Sequence, residues 1–226
     1  MKAVFSIALL LSLSGSSLLA DKETDERLAN AAQAFAEIMS SADKGIPGSI
    51  LNKAECVVVV PGMKKGGFIV GGSFGRGAIS CRNKNKTGWG APAMVELGGG
   101  SVGFQIGAEA TDVVMLVMSR KGIDSLLKSK FTLGGDASVA AGPVGREAAA
   151  ETDAAMKAEI LSYSRSRGVF AGVSLKGTSL HQDEDANKAV YGKELDSDVI
   201  LAGTMAVPAG AKPLIQMLTK YSPKGV

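Results

Sequence analysis

Three short patterns in this chain have residue types suited to chemistry. Gly71-Gly-Ser-Phe-Gly75 fits G-x-S-x-G, the spacing that lifts a serine nucleophile onto a sharp strand-to-helix turn. With His181 and an acid such as Asp136, Ser73 would have the residue types of a hydrolytic triad. Its context argues against that use. Arg76-Gly-Ala-Ile-Ser-Cys81 follows as a further strand-like run where a helix is needed, and His181 falls in the polar loop Thr178-Ser-Leu-His-Gln-Asp183. Gly98-Gly-Gly-Ser-Val-Gly103 fits G-x-G-x-x-G, but pyrophosphate binding needs a helix N-terminus behind the glycines. Here Phe104-Gln-Ile-Gly-Ala108 alternates like a strand, so a hairpin turn is expected. Asp183-Glu-Asp185 lacks the spaced oxygens and glycine of an EF-hand loop and reads as a solvated acidic loop. One His and two Cys without C-x-x-C spacing cannot supply a tetrahedral zinc set without carboxylates. No metal and no cofactor is expected.

The basic residues carry more information. Lys64 and Lys65 read as the turn after Pro61-Gly62, Arg76 as the next turn, and Arg82, Lys84 and Lys86 as the end of the following strand. In an antiparallel meander one strand separates the first two turns, so they fall at opposite ends and 82–86 returns to the first. Lys64, Lys65, Arg82, Lys84 and Lys86 would then form one positive rim, each exposed charge contributing about 1 kcal/mol beside an anionic bilayer. Ordinary solubilising turns are the alternative. Arg146, Arg165 and Arg167 form a second cluster. Arg165 and Arg167 alternate with Ser164 and Ser166, so they share a strand face. Guanidinium and hydroxyl groups there would suit phosphate, or would pair with a buried Asp136 or Asp153.

The elements that must position these groups follow from periodicity. Over residues 24–42, Leu28, Ala31, Ala32, Phe35, Ile38, Met39 and Ala42 recur at helical spacing, with Asp25 and Glu26 in the first turn. A second short helix is predicted for 47–54. Runs at 57–60, 68–70, 78–80, 93–97, 102–106 and 113–117 are β-rich and closely spaced by Gly, Pro, Asn and Asp, which argues for hairpins rather than βαβ crossovers. A two-turn helix after Ser119, a strand at 139–141, and a segment 147–160 that suits either a helix or a sheet edge come next. Strands over 163–175 with a turn at Arg167-Gly168, a polar helix at 185–191 and a terminal helix at 212–220 complete the pattern. The expected fold is α+β: a mainly antiparallel, strongly bent β-sheet or partial barrel with flanking N- and C-terminal helices.

Residues 1–20 stand apart. Lys2, the apolar run 3–13 and the small-residue exit Ser14-Gly-Ser-Ser-Leu-Leu-Ala20 read as a signal peptide cleaved near Ala20, with no Cys at the junction to carry a lipid. The apolar run falls short of the roughly 20 residues of a membrane span. Export to a periplasm or the exterior is expected, leaving one domain over 21–226: N-terminal helices at 24–54, a β-rich core at 55–182 and a C-terminal helical part at 183–222. Its 46% hydrophobic and 21% charged residues suit one such domain. In an oxidising compartment Cys56 and Cys81 would form a disulfide; buried free thiols are the other reading. A formal charge of +3 is too small to imply nucleic acid as a partner.

Longer strings point to a family. Pro61-Gly-Met-Lys-Lys-Gly-Gly-Phe-Ile-Val-Gly-Gly72, Gly88-Trp-Gly-Ala-Pro92, Gly100-Ser-Val-Gly-Phe-Gln-Ile-Gly107, Asp112-Val-Val, Leu133-Gly-Gly-Asp-Ala-Ser-Val-Ala-Ala-Gly-Pro-Val-Gly-Arg146, Tyr163-Ser-Arg-Ser-Arg-Gly-Val-Phe-Ala-Gly-Val-Ser-Leu175 and 187–192 occur in that order. Together they resemble the SYLF domain over 29–221. The resemblance implies lipid binding without catalysis. It also implies that eukaryotic members bind phosphoinositides, partly through an N-terminal amphipathic helix, that some bind actin filaments, and that bacterial members are exported. This chain departs from that pattern at 21–43, where Lys22 and Arg27 stand against Asp21, Glu23, Asp25, Glu26, Glu37 and Asp43, a net of −4. An acidic helix is a poor anchor for anionic lipid, so core packing is its expected role. Actin is not an expected partner of an exported chain; an anionic phospholipid or membrane surface is. The alternatives are an envelope structural or protein-interaction module, for which few aromatics supply a hot spot, and a serine hydrolase using Ser73.

Overall fold

A strand buried on both faces organises the chain. β1 (Cys56–Gly67) lies between β2 (Val70–Cys81), in register Cys56↔Cys81, and β4 (Glu109–Val117), in register Cys56↔Val117. Its run Val57-Val-Val-Val60 is buried throughout because apolar layers cover both sides of the sheet. Val57 and Val59 pack with Ala78, Val114, Leu116 and the helices, while Val58 and Val60 pack with Ile79, Val95, Met115 and Phe131. Unbroken apolar runs of this kind are what doubly covered strands require. The computed structural model describes residues 14–40, 45–67, 70–102, 109–119, 121–123, 130–144, 157–166, 169–173 and 175–225; for 14–21, 65–67, 70, 71, 100–102, 109 and 130 it describes the backbone only.

The strand order is β5-β9-β3-β2-β1-β4-β7-β6, with β8 also paired to β7. The remaining strands are β3 (Ala93–Val102), β5 (Lys130–Thr132), β6 (Val139–Ala141), β7 (Ile160–Ser166), β8 (Val169–Gly172) and β9 (Ser179–Gln182). All pairings are antiparallel except β6 with β7. β5 and β6 lie at opposite ends of this order yet are joined by only residues 133–138. Seven strand spacings of about 4.8 Å would hold them roughly 34 Å apart in a flat sheet. The connection reaches at most about 25 Å, and a Leu133↔Ala137 bridge shortens it further. The sheet therefore curls into a half-barrel, and the α+β fold expected from the sequence is the one observed. Phe131 and Leu133 from one edge meet Val139 and Ile160 from the other inside the curl.

Helices cover the outer face, except for one near the C-terminus whose Ile200 packs into the inner cluster. α1 (Ser14–Ser40) buries Leu28, Ala31, Ala32, Phe35 and Ile38, and Phe35 meets Tyr221 edge-on at 6.1 Å. This apolar stripe lies in the core and is not available to a membrane. α1 begins ten residues before the expected start and passes through position 20. α2 (Gly48–Leu51) follows Pro47, and three further helices close the chain: α3 (Glu184–Tyr191), α4 (Ser197–Leu201), which periodicity did not predict, and α5 (Lys212–Tyr221) with Pro213 in its first turn.

Several expected boundaries change. Lys64 and Lys65 continue β1 rather than turning, residues 98–102 are strand β3 rather than a hairpin turn, and 179–182 are strand β9 rather than a polar loop. Residues 68–69, 103–106, 124–129 and 147–156 of the expected elements lie outside the described residues. After Ser119, whose Oγ accepts from the Gly122 amide at 3.1 Å, residues 121–123 are helical. Cys56 and Cys81, directly opposite one another, are bonded.

Pro61 interrupts a central strand, where it cannot donate to the ladder. The registers of β1 shift between Val60 and Met63, and Gly62 takes φ +56, so the irregularity becomes a bulge. β2 must then approach closely. A Cβ on Gly77 would lie 2.1 Å from the Val59 carbonyl oxygen and 2.8 Å from the Val60 Cα. Gly77→Ala is expected to destabilise the fold by about 3 kcal/mol, near the upper end for overpacking, lowering the thermal midpoint by about 2 to 4 °C per kcal/mol. An unchanged midpoint by circular dichroism would show that the strands can part at no cost.

Candidate anionic-surface interface

The expected positive rim divides in two. Lys64 and Lys65 lie within β1, opposite Phe74 and Ser73, whereas Arg82 follows Cys81 at the other end of β2. Arg82 lies eight positions beyond Phe74 along the chain, on the order of 26 Å of strand. The single rim fails because the Pro61-Gly62 bulge lets β1 run on to Gly67, placing the chain reversal after the lysines rather than at them.

Arg82 is not a surface ligand. It is 7% exposed. Its Nη1 donates to the Ser222 carbonyl oxygen at 2.8 Å and its Nη2 to Ser222 Oγ, while Nε and Nη2 point at the carbonyls of Ala54 and Leu51 at 3.4 and 3.5 Å. The guanidinium lies 3.9 Å over the Trp89 ring, and Trp89 Nε1 donates to the same Ser222 carbonyl at 2.9 Å. Desolvation pulls Arg82 down to about 10, with Glu55 pulling the other way, so it stays charged at neutral pH. Ser222 Oγ in turn donates to Asn52 Oδ1 at 2.6 Å, and the Gly225 amide to the Lys86 carbonyl at 2.9 Å. One cation thus clamps segments 51–54, 82–89 and 222–225 together.

The clamp gathers lysines. Lys53, Lys84, Lys220 and Lys224 are exposed, and among the described residues none has a carboxylate partner within ion-pair distance. Lys86 is half-buried with Nζ 2.7 Å from Glu55 Oε1. The 83–87 turn that carries Lys84 and Lys86 is fixed by Asn83, whose carbonyl accepts from the Lys86 amide and whose Oδ1 accepts from the Thr87 amide, both at 2.9 Å. Lys86 adopts φ 54, an unusual backbone for a residue with a side chain. Ammonium groups held within about a Debye length, ~8 Å at physiological salt, raise one another's potential and favour an anion among them. Sequence reasoning found Lys84 and Lys86 and missed Lys53, Lys220 and Lys224. The one local signal was a lysine in the last turn of α5.

The second expected cluster is structural where it is described. Arg165 on β7 pairs with Glu37 of α1, and its Nη1 lies 3.2 Å from Asp112 Oδ2. Asp112 Oδ1 also accepts from the Gly62 amide at 2.9 Å, and Gln33 Nε2 donates to Glu37 at 2.8 Å. The Gln33 hydrogen bond first, and Arg165 after it, hold the Glu37 carboxyl below its ordinary value, against a desolvation contribution that raises it. Asp136 Oδ2 accepts from the Thr132 amide at 2.7 Å. Arg146, Arg167 and Asp153 lie outside the described residues.

The other motifs resolve without chemistry. Ser73 Oγ donates to the Gly99 carbonyl at 3.3 Å inside the β2–β3 ladder, while His181 sits on β9, across β3 and opposite Glu96. No strand-to-helix elbow presents Ser73, and His181 does not reach it. Asp183, read as solvated, is instead buried: it caps α3 by accepting from the Ala186 amide at 3.1 Å and pairs with Arg27 at 2.6 Å. A groove of about 590 Å³ runs past that pair between α1 and α3, lined by Glu23, Arg76, Glu96, Glu184 and Asp185 among others. No group of three or more His, Cys, Asp or Glu among the described residues is arranged for a metal ion.

A family model described as Ysc84, Las17-binding protein actin regulator, matches residues 98–221. The chain is similar to SH3 domain-containing protein PJ696.02 of Schizosaccharomyces pombe, 40% identical over 180 residues that make up 78% of this chain and 41% of that protein. Protein YSC84 of Saccharomyces cerevisiae is 37% identical over 180 residues, 78% of this chain and 38% of that one. SH3 domain-containing YSC84-like protein 1 of Homo sapiens is 32% identical over 206 residues, 90% and 60% respectively. The chain thus spans about two fifths of these fungal relatives and three fifths of the human one.

Arg82→Ala should release residues 222–225 and cost about 3 kcal/mol, since buried carbonyls lose a charged donor. The single tryptophan is the probe: Trp89 emission should shift to longer wavelength and amide exchange at 222–225 should rise. An unchanged spectrum with unchanged exchange would mean that the clamp is not what holds this pole.

Proposed function

Because the chain belongs to the Ysc84 (SYLF) family, we propose that it is a non-catalytic module that binds an anionic membrane surface through its lysine pole. The observation that carries this reading is the set of Lys53, Lys84, Lys220 and Lys224, exposed and without a carboxylate partner among the described residues, on a scaffold fixed by buried Arg82. At about 1 kcal/mol for each lysine near an anionic bilayer, the four supply about 4 kcal/mol of attraction, enough for reversible peripheral binding and sensitive to salt. The ligand is a surface rather than a single molecule, since the lysines spread over three chain segments.

The family description speaks of actin regulation, and Las17 is named for the relatives. We do not extend those partners to this chain. Residues 1–20 read as a signal peptide, and the Cys56–Cys81 bond suits an oxidising compartment. An exported protein meets envelope phospholipid and not cytoskeletal filaments. Absence of catalysis is supported by the placement of Ser73, whose hydroxyl is held by Gly99.

Co-sedimentation with phosphatidylglycerol–phosphatidylcholine vesicles tests the reading. Binding is expected at low salt, with release at high salt and none to phosphatidylcholine alone. Lys84→Ala with Lys224→Ala should weaken binding about 30-fold, the equivalent of about 2 kcal/mol. Equal binding by that variant would remove the pole from the function. Export has its own measurement: the mass of the protein recovered from an envelope extract should match a chain beginning near Asp21, and a full-length mass would sink it.

A further inference from the structure

We propose that this protein associates with itself head to tail, the lysine pole of one copy docking in the acidic groove of the next. The proposal uses the lysines of the membrane reading but does not depend on that reading. The groove of about 590 Å³ between α1 and α3 carries an excess of negative charge. Glu23, Glu96, Asp183, Glu184 and Asp185 line it against the guanidiniums of Arg27 and Arg76, five carboxylates to two cations. Both guanidiniums are already engaged. Arg27 pairs with buried Asp183 at 2.6 Å and lies 3.7 Å from Glu23, while Arg76 pairs with Glu96 at 2.8 Å and with Glu23 at 3.2 Å. Glu184 and Asp185 are exposed and have no basic partner within ion-pair distance among the described residues. Lys188 of the same helix is paired with Glu194 at 2.7 Å. Ala186 and Ala189 also line the groove, and small apolar side chains there suit a lysine stem whose methylenes pack while its ammonium reaches the carboxylates.

The pole of one molecule does not neutralise its own groove. Arg76 borders the groove and Arg82 anchors the pole, six positions further along the chain, about 20 Å of strand. Along α1 the groove is bordered by residues 23 to 27, whereas the C-terminal segment of the pole meets α1 at Phe35 through Tyr221, about 12 to 18 Å further along the helix. Both separations exceed the Debye length of ~8 Å at physiological salt. An excess of three negative charges in the groove therefore faces no cation of its own chain, and Lys53, Lys84, Lys220 and Lys224 face no carboxylate. When one copy stacks on the next, opposite and similar charges meet. Since the two surfaces are different patches, the contact is heterologous. Each pair keeps one free groove and one free pole, and association continues into chains unless the rotation between copies closes a ring. An anionic bilayer and the groove of the next copy compete for the same lysines.

Sedimentation velocity of the full-length protein, without lipid, tests the contact. At low salt the sedimenting mass is expected to rise with protein concentration, and at high salt to return to that of the monomer. Glu184→Gln with Asp185→Asn alters the groove, and Lys84→Ala with Lys224→Ala alters the pole; all four residues are exposed. Each double variant should weaken self-association about tenfold, as loss of two exposed ion pairs implies. Circular dichroism checks that both variants keep the fold. Mixing the two variants separates a head-to-tail contact from any other. The intact pole of the groove variant and the intact groove of the pole variant make one wild-type contact, so a dimer is expected and nothing longer. A wild type that stays monomeric at low salt overturns the proposal, and if it then binds a fluorescent oligolysine peptide the groove belongs to a basic segment of another protein. Association unchanged in either variant overturns it as well, as does a mixture no larger than its separate components.

Discussion

Six residues, 133–138, join the two outermost strands of an eight-strand path, and this short tether sets the form of the molecule. A flat sheet would part β5 and β6 by more than the tether can reach, so the sheet closes on itself. Closing buries an inner apolar cluster, and the outer face must be covered by helices because its strand residues are equally apolar. Double burial in turn selects the valine run of β1 and requires the backbone-to-backbone approach at Gly77. With both faces occupied, little of the sheet is left for binding. Among the described residues, what the fold offers a partner lies at its ends and in the helix-side groove.

The ends are held by buried charge of two different kinds. Arg27–Asp183 and Arg165 with Glu37 and Asp112 are cation–carboxylate sets that fix α1 to α3 and to the bulged part of β1. Such pairs offset much of each other's desolvation and add little net charge to their surroundings. Arg82 is solved differently. It is satisfied mainly by carbonyls, a hydroxyl and a ring face, none of which cancels its charge. Glu55, which pairs with Lys86, opposes that charge through space, and the remaining positive potential adds to that of the exposed lysines around it. Breaking such a site by removing the cation strands several acceptors, so the clamp is also a stability element.

Charge is distributed along the molecule in a way that its formal value of +3 conceals. Acidic groups cluster by α1 and the α3 N-terminus, where Arg27 and Arg76 partly answer them, and lysines cluster where α2, the 82–89 loop and the C-terminal segment converge. A nearly neutral total with separated poles orients a protein in the field of a charged surface better than it binds it to polyanions in general. The same separation explains why α1, though amphipathic, serves the core: its apolar stripe is fully covered and its exposed side is acidic.

The sequence by itself determined the family, the α+β class and most element types, because these depend on local periodicity and on long glycine-rich strings. Leu28 to Ile38 at helical spacing and the Val57–Val60 run are legible without any partner. It misplaced Lys64 and Lys65 because Pro61-Gly62 has the composition of a turn, and only the pairing of β1 with β2 and β4 shows a bulge there. It took 98–102 and 179–182 for turn and loop because glycines and polar residues form strands only where neighbours supply the ladder. The candidate site was least legible. Arg82 meets Leu51 and Ser222 across separations of 31 and 140 residues, and those contacts alone bring Lys53, Lys84, Lys220 and Lys224 to one pole. Lysine identities are written in the chain, but their summed field depends on distances, and distances between remote segments exist only once the sheet has curled and the termini have docked.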